Sequence, residues 1–156
     1  MRETALLALR RPLVALVLML FAAGAVAQGS DIVRRPVKGA FEDVRDRVAF
    51  AIESEGLVLN YTAHIGDMLD RTGRDVGAAR RVFEKAQMLE FCSASASRRA
   101  MEADPHNIVF CPYAIAVYTL PDVPGIVHIA YRRVPPVRGL GPMRELVERI
   151  VREAAR

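Results

Sequence analysis

The chain has 156 residues, 52% of them hydrophobic and 6% aromatic, with a formal net charge of +4. Tryptophan is absent, and lysine occurs only at Lys38 and Lys85, so the positive charge comes from arginines scattered among Asp and Glu rather than from one stripe. This distribution argues against both a base-stacking platform and the electrostatic footprint of a nucleic-acid binder.

The first 27 residues read as an export signal. Arg2, Arg10 and Arg11 precede an apolar run from Leu13 to Ala23, which ends in Ala25-Val26-Ala27. A charged start, a short apolar stretch and an Ala-x-Ala site define a cleaved secretory leader. The run falls short of the roughly 20 apolar residues that span a bilayer core, so the processed chain is expected to begin at Gln28, with no stable membrane insertion and a periplasmic or secreted location. Arg10-Arg11 leaves the twin-arginine route open beside the ordinary one. Cleavage would remove three Arg and one Glu, taking the net charge from +4 to +2, and leave 129 of the 156 residues. That length suits one domain with its own core.

Along the remaining chain, strand-like and helix-like patterns alternate. Residues 32–37 form a short β-like run. Phe41, Val44, Val48 and Ile52 recur at helical spacing, and Gly56 closes a helix predicted over about 40–55. Residues 57–65 alternate as a half-buried strand does, and Asp67 is a candidate N-cap for a short helix. Residues 72–79, with Gly73 and Gly77, read as loop. Lys85 to Cys92 is a core strand, after which Ser93, Ser95 and Ser97 offer capping oxygens to a helix that Asp104-Pro105 stops near Ala103. Ile108 to Leu120 reads as the longest strand. The turn Pro121-Asp122-Val123-Pro124-Gly125 leads into its partner, 126–134. A final helix is predicted over about 142–155, with Leu146, Ile150 and Ala154 on a narrow apolar face. Its polar face carries Arg144/Glu148, Glu145/Arg149 and Arg149/Glu153 at i,i+4. The expected class is α+β, a single mixed or antiparallel sheet of four to five strands with two to three helices over 28–134, followed by a linker and amphipathic helix over 135–156.

The residues with most chemical potential are Cys92 and Cys111. A ten-residue helix descends about 15 Å and an extended return over 107–111 climbs about 13 Å, so the two cysteines should lie at similar height. Three readings compete: a structural disulfide suited to an oxidising compartment, two inert buried thiols, and a reactive pair that handles thiol redox, reduced sulfur or a soft metal. The reactive reading rests on Cys92 standing at a helix start with Arg98 and Arg99 nearby, an environment that lowers a thiol pKa. Ser93, His106 and Tyr113 are possible supporting residues, with His106 also a candidate third ligand for a soft metal. No cofactor is indicated, and there is no Cys-x-x-Cys. Asp67, Asp70 and Asp75 read as turn and cap residues. Phosphate-loop, dinucleotide and nucleophile-elbow motifs are absent. A non-catalytic binding or assembly module with the cysteines as a brace is the alternative. A small-molecule carrier would use a cleft between sheet and final helix, lined by Tyr113, Tyr131 and Arg132.

The segment Phe91-Cys92-Ser93-Ala94, Ser97-Arg98, Met101-Glu102-Ala103-Asp104-Pro105, Asn107 and Cys111-Pro112-Tyr113, after a helix opening Gly39-Ala40-Phe41-Glu42, resembles the domain of unknown function 302 family over about residues 31–134. The resemblance implies an α+β sheet-and-helix domain that often self-associates, in cytoplasmic forms and behind export signals, with no established activity. The family commonly has Cys-Asn-Pro at the first cysteine and Pro-Cys at the second, where this chain has Cys92-Ser93-Ala94 and Cys111-Pro112.

Overall fold

The computed structural model describes residues 31–156; the expected leader and cleavage site of residues 1–27 lie outside them. Five strands form one antiparallel sheet: β1 (Ile32–Lys38), β2 (Val58–Ala63), β3 (Lys85–Cys92), β4 (Tyr113–Thr119) and β5 (Ile126–Arg132), in the order β1-β5-β4-β3-β2. The helices are α1 (Phe41–Ser54), α2 (Ile65–Thr72), α3 (Ala94–Ala103) and α4 (Gly141–Ala154), with a 3₁₀ turn at Pro105–Phe110. The fold is a single α+β domain, as the pattern predicts.

Period-two alternation decides which side of the sheet is covered. Leu89 and Phe91 on β3, Ile115 and Val117 on β4, and Val127 and Ile129 on β5 are all 0% exposed. They share a face because each strand turns successive side chains to opposite sides and the register aligns Leu89 with Ile115 and Val117 with Ile129. Onto this face α1 lays Val44, Val48 and Ile52 at i, i+4, i+8. Pro36 is accommodated in β1 because that strand is an edge, where a missing donor leaves no gap in the ladder. At the other edge, β2 carries a bulge between Leu59 and Tyr61.

Several boundaries differ from expectation. The segment 108–110 is not strand: Pro105 occupies the first turn, the Asp104 carboxylate accepts from His106 N–H at 2.9 Å, and residues 105–110 coil into the 3₁₀ turn, so β4 starts only at Tyr113. Asp104 and Pro105 thus end one helix and begin another, with proline where its lost donor costs nothing. Asp67 does not cap α2; the cap position is His64, without a side-chain bond, and Asp67 lies in the first turn. His64 is correspondingly outside β2.

The final helix is more than an amphipathic appendage. Met143, Val147 and Val151 are buried beside Leu146, Ile150 and Ala154, so α4 presents a broad face to the core and packs along α1. Its Arg149 makes a two-pronged contact with Glu55 at the end of α1, at 2.7 and 3.0 Å. The Arg149 hydrogen bonds hold the Glu55 carboxyl below its usual range. A depressed carboxyl adds stability above its unfolded pKa, and that stability is lost as pH falls through the folded value. Arg149→Ala is therefore expected to lower stability at neutral pH by about 0.5 to 1 kcal/mol, the size of a good surface pair. The difference from wild type should close as pH drops below about 4 in urea titrations.

Candidate functional site

The cysteine segment is built by local rules. β3 ends at Cys92, Ser93 takes extended backbone and its hydroxyl accepts from Ala96 N–H at 3.4 Å, and α3 begins at Ala94. Ser93 is therefore the cap that its residue type predicts. At the far end of α3, buried Asn107 donates to the carbonyls of Ala100 at 2.8 Å and Arg138 at 3.2 Å, tying the 3₁₀ turn to the helix and to the loop before α4. The chain then reaches Cys111 and a cis bond to Pro112 before entering β4. Because Phe91 pairs with Tyr113, the residues just beyond that pair, Cys92 and Cys111–Pro112, are brought to the same end of two neighbouring strands.

The result is a close thiol pair. Cys92 Sγ lies 2.8 Å from Cys111 Sγ, both partly buried, and Ser97 Oγ is 3.5 Å from Cys111 Sγ. Ser97, which the sequence offers only as a capping oxygen, sits one turn after the cap Ser93, a spacing that places both toward the same side of α3. Tyr113 is close by, its ring 6.2 Å from that of Phe91. Burial, followed by the neighbouring Cys111 and Cys92, pushes its hydroxyl up to about 12.

The expectation of a lowered Cys92 pKa fails. Burial, then the hydrogen bond with Cys111 and the charges of Cys111 and Glu90, push the Cys92 thiol up to about 11. Cys92 precedes the cap and is not itself in the first turn of α3, so the helix terminus does not offset its desolvation. Arg98, invoked as a nearby cation, is exposed and pairs with Glu102 at 2.8 Å. His106 is exposed, and among the described residues no group of three or more His, Cys, Asp or Glu is placed to hold a metal.

The cleft expected between sheet and final helix is present. A cavity of about 360 Å³ is bordered by Tyr113, Tyr131 and Arg132, with Pro112 and Phe110 on one side and Val147 of α4 on the other.

A five-stranded antiparallel sheet with α1 and α4 packed on one face and a close cysteine pair at the β3/β4 end defines an α+β domain of the kind the cysteine segment resembles. The family profile of DUF302, a domain of unknown function, matches residues 33–155, and the chain belongs to that family. The match runs through α4, so the final helix is part of the family domain. Among solved structures, the chain is similar to the uncharacterized conserved protein DUF302 from Bacillus stearothermophilus. The TM-score is 0.62 at 15% identity, covering 82% of this chain and 100% of that one, a likeness of fold. No curated protein matches the chain.

Proposed function

We propose that Cys92 and Cys111 form a dithiol–disulfide couple that exchanges with disulfide substrates, in a protein exported by its N-terminal leader. The observation that carries this reading is the 2.8 Å separation of the two sulfurs. A disulfide bond of about 2.05 Å lies a short movement away. A tetrahedral metal held at about 2.3 Å by each sulfur would instead require them to move apart to about 3.8 Å. This separation supports S–S bond formation over a shared soft metal.

The roles follow from the donors. Cys111 Sγ has Ser97 Oγ–H and Cys92 S–H within reach, and Cys92 is held protonated by burial. Cys111 as thiolate attacks one sulfur of a substrate disulfide, forming a mixed disulfide and releasing a thiolate that takes a proton from solvent. Cys92 then loses its proton and attacks Cys111 Sγ, so the second substrate thiol departs. The protein ends with a Cys92–Cys111 bond and the substrate has gained two electrons; the reverse sequence oxidises a dithiol.

Oxidised glutathione serves as the probe. Cys92→Ser is expected to accumulate a glutathione mixed disulfide at Cys111, visible by intact mass, whereas Cys111→Ser should accumulate little at Cys92. The alternative role as a brace predicts that neither variant traps glutathione, while each loses about 2 to 5 kcal/mol of stability. Export is tested separately: the exported protein should begin at Gln28. Self-association is expected through the unpaired edges of β1 and β2, and a monomer mass in light scattering at tens of micromolar would count against it.

A further inference from the structure

The side of the sheet turned away from α1 and α4 is not featureless. It holds a trough of about 650 Å³, within the range of small-molecule sites. Its floor includes Ala86, Ala114, Ala116 and Ala130, from three adjacent strands, with Met88 opposite Ala116 as the one long side chain among them. Short side chains there leave a depression where leucine or valine would fill the surface. Phe83 and Tyr118 close one end, their rings packed edge to face at 5.3 Å, and Ile65 at the start of α2 adds to that wall. From Ala114 to Tyr118 the floor runs about 13 Å along β4.

Charge gives the trough a direction. Arg34 and Arg132 line it from β1 and β5, and no carboxylate does. Arg34 stands opposite Ala130, and Arg132 opposite Ile32, so the two arginines are diagonal neighbours on one face, about 7 to 8 Å apart at their bases. Both are exposed, and neither is in an ion pair with any described residue. Two like charges side by side repel, and one anion between them satisfies both. We infer that this trough binds a small carboxylate with an apolar body, its chain on the alanine floor and its head group between Arg34 and Arg132. Neither Cys92 nor Cys111 lines it, so the inference stands independently of the thiol couple.

Decanoate, with decanol as its neutral counterpart, tests this by calorimetry on the full exported protein. Decanoate should bind at least about tenfold more tightly than decanol, since charge-assisted contacts are the stronger ones. Arg34→Gln with Arg132→Gln should remove that advantage and leave decanol binding unchanged. Ala116→Phe should weaken both ligands, with an unchanged unfolding midpoint showing that the fold is intact. Equal affinity for decanoate and decanol overturns the inference, as does an absence of binding. It is equally overturned if Ala116→Phe turns a dimer into a monomer, which would assign the face to a second copy, or if the protein binds anionic vesicles but not monomeric decanoate.

Discussion

Replacing Gly139 by alanine is expected to destabilise the domain by about 2 to 5 kcal/mol. Gly139 has φ +88°, where an L side chain costs about 1 to 2 kcal/mol. A Cβ there would also stand 2.6 Å from Ala103 Cβ and 3.1 Å from Ala100 Cα. These are atoms of α3 itself, not the ends of long side chains, so the helix would have to move, at the usual overpacking cost of about 1 to 3 kcal/mol. The same junction holds the Asn107 bonds to Ala100 and Arg138, so displacement would strain them too. In urea the midpoint should fall with the slope unchanged. Gly141→Ala, where an added Cβ meets nothing and φ is ordinary, should be close to neutral. Equal midpoints for the two variants would show that the loop before α4 can swing away from α3.

The second large effect concerns the reduced thiols. With Cys92 pushed up from 9.0 to about 11, its thiolate fraction at neutral pH is roughly a hundredfold below that of an ordinary cysteine. Each thiolate is more nucleophilic, which recovers about tenfold, so alkylation of Cys92 by iodoacetamide should run about tenfold slow. Its rate should keep rising with pH until about 11, read by mass spectrometry of labelled peptides. The raised thiol also has a stability consequence. It stabilises the reduced fold fully below the unfolded pKa, and that contribution fades as pH rises from about 9 toward 11. The disulfide form has no proton to lose at this position and should show no such decline. A Cys92 labelling rate that levels off near pH 8 would remove the physical basis for assigning it the resolving role.

Local chemistry made much of this molecule readable. The Phe41, Val44, Val48, Ile52 spacing located α1, and Ser93 and Asp104 marked both ends of α3, because caps and helical spacing act within a few residues. The approach of Cys92 and Cys111 was also legible, although the return path is a 3₁₀ turn rather than an extended strand. Ile108, Val109 and Phe110 have strand-forming side chains, and that propensity was overridden by the Asp104 cap, Pro105 and the buried Asn107 amide. Asp-Pro stops one helix and is equally a start signal for the next turn. The Cys92 pKa was not legible, because desolvation depends on which elements close over the sulfur. The alanine trough was hidden for a related reason: Ala86, Ala114, Ala116 and Ala130 become a floor only once the strand order sets them side by side.

That strand order has a consequence in time. Ile32, the first residue of β1, pairs with Arg132, the last of β5, 100 positions later. As the chain leaves the ribosome, β1 has no place to dock until β5 has emerged, and α4, which seals the core, comes later still. Closing so long a loop is entropically costly and slows folding of sheets dominated by distant pairings. At synthesis rates of about 5 to 20 residues per second, the nascent chain spends at least about 5 seconds with β1 unsatisfied. A polypeptide that stays open for that interval remains threadable, the condition in which a chain can be handed to a translocation channel before its sheet closes.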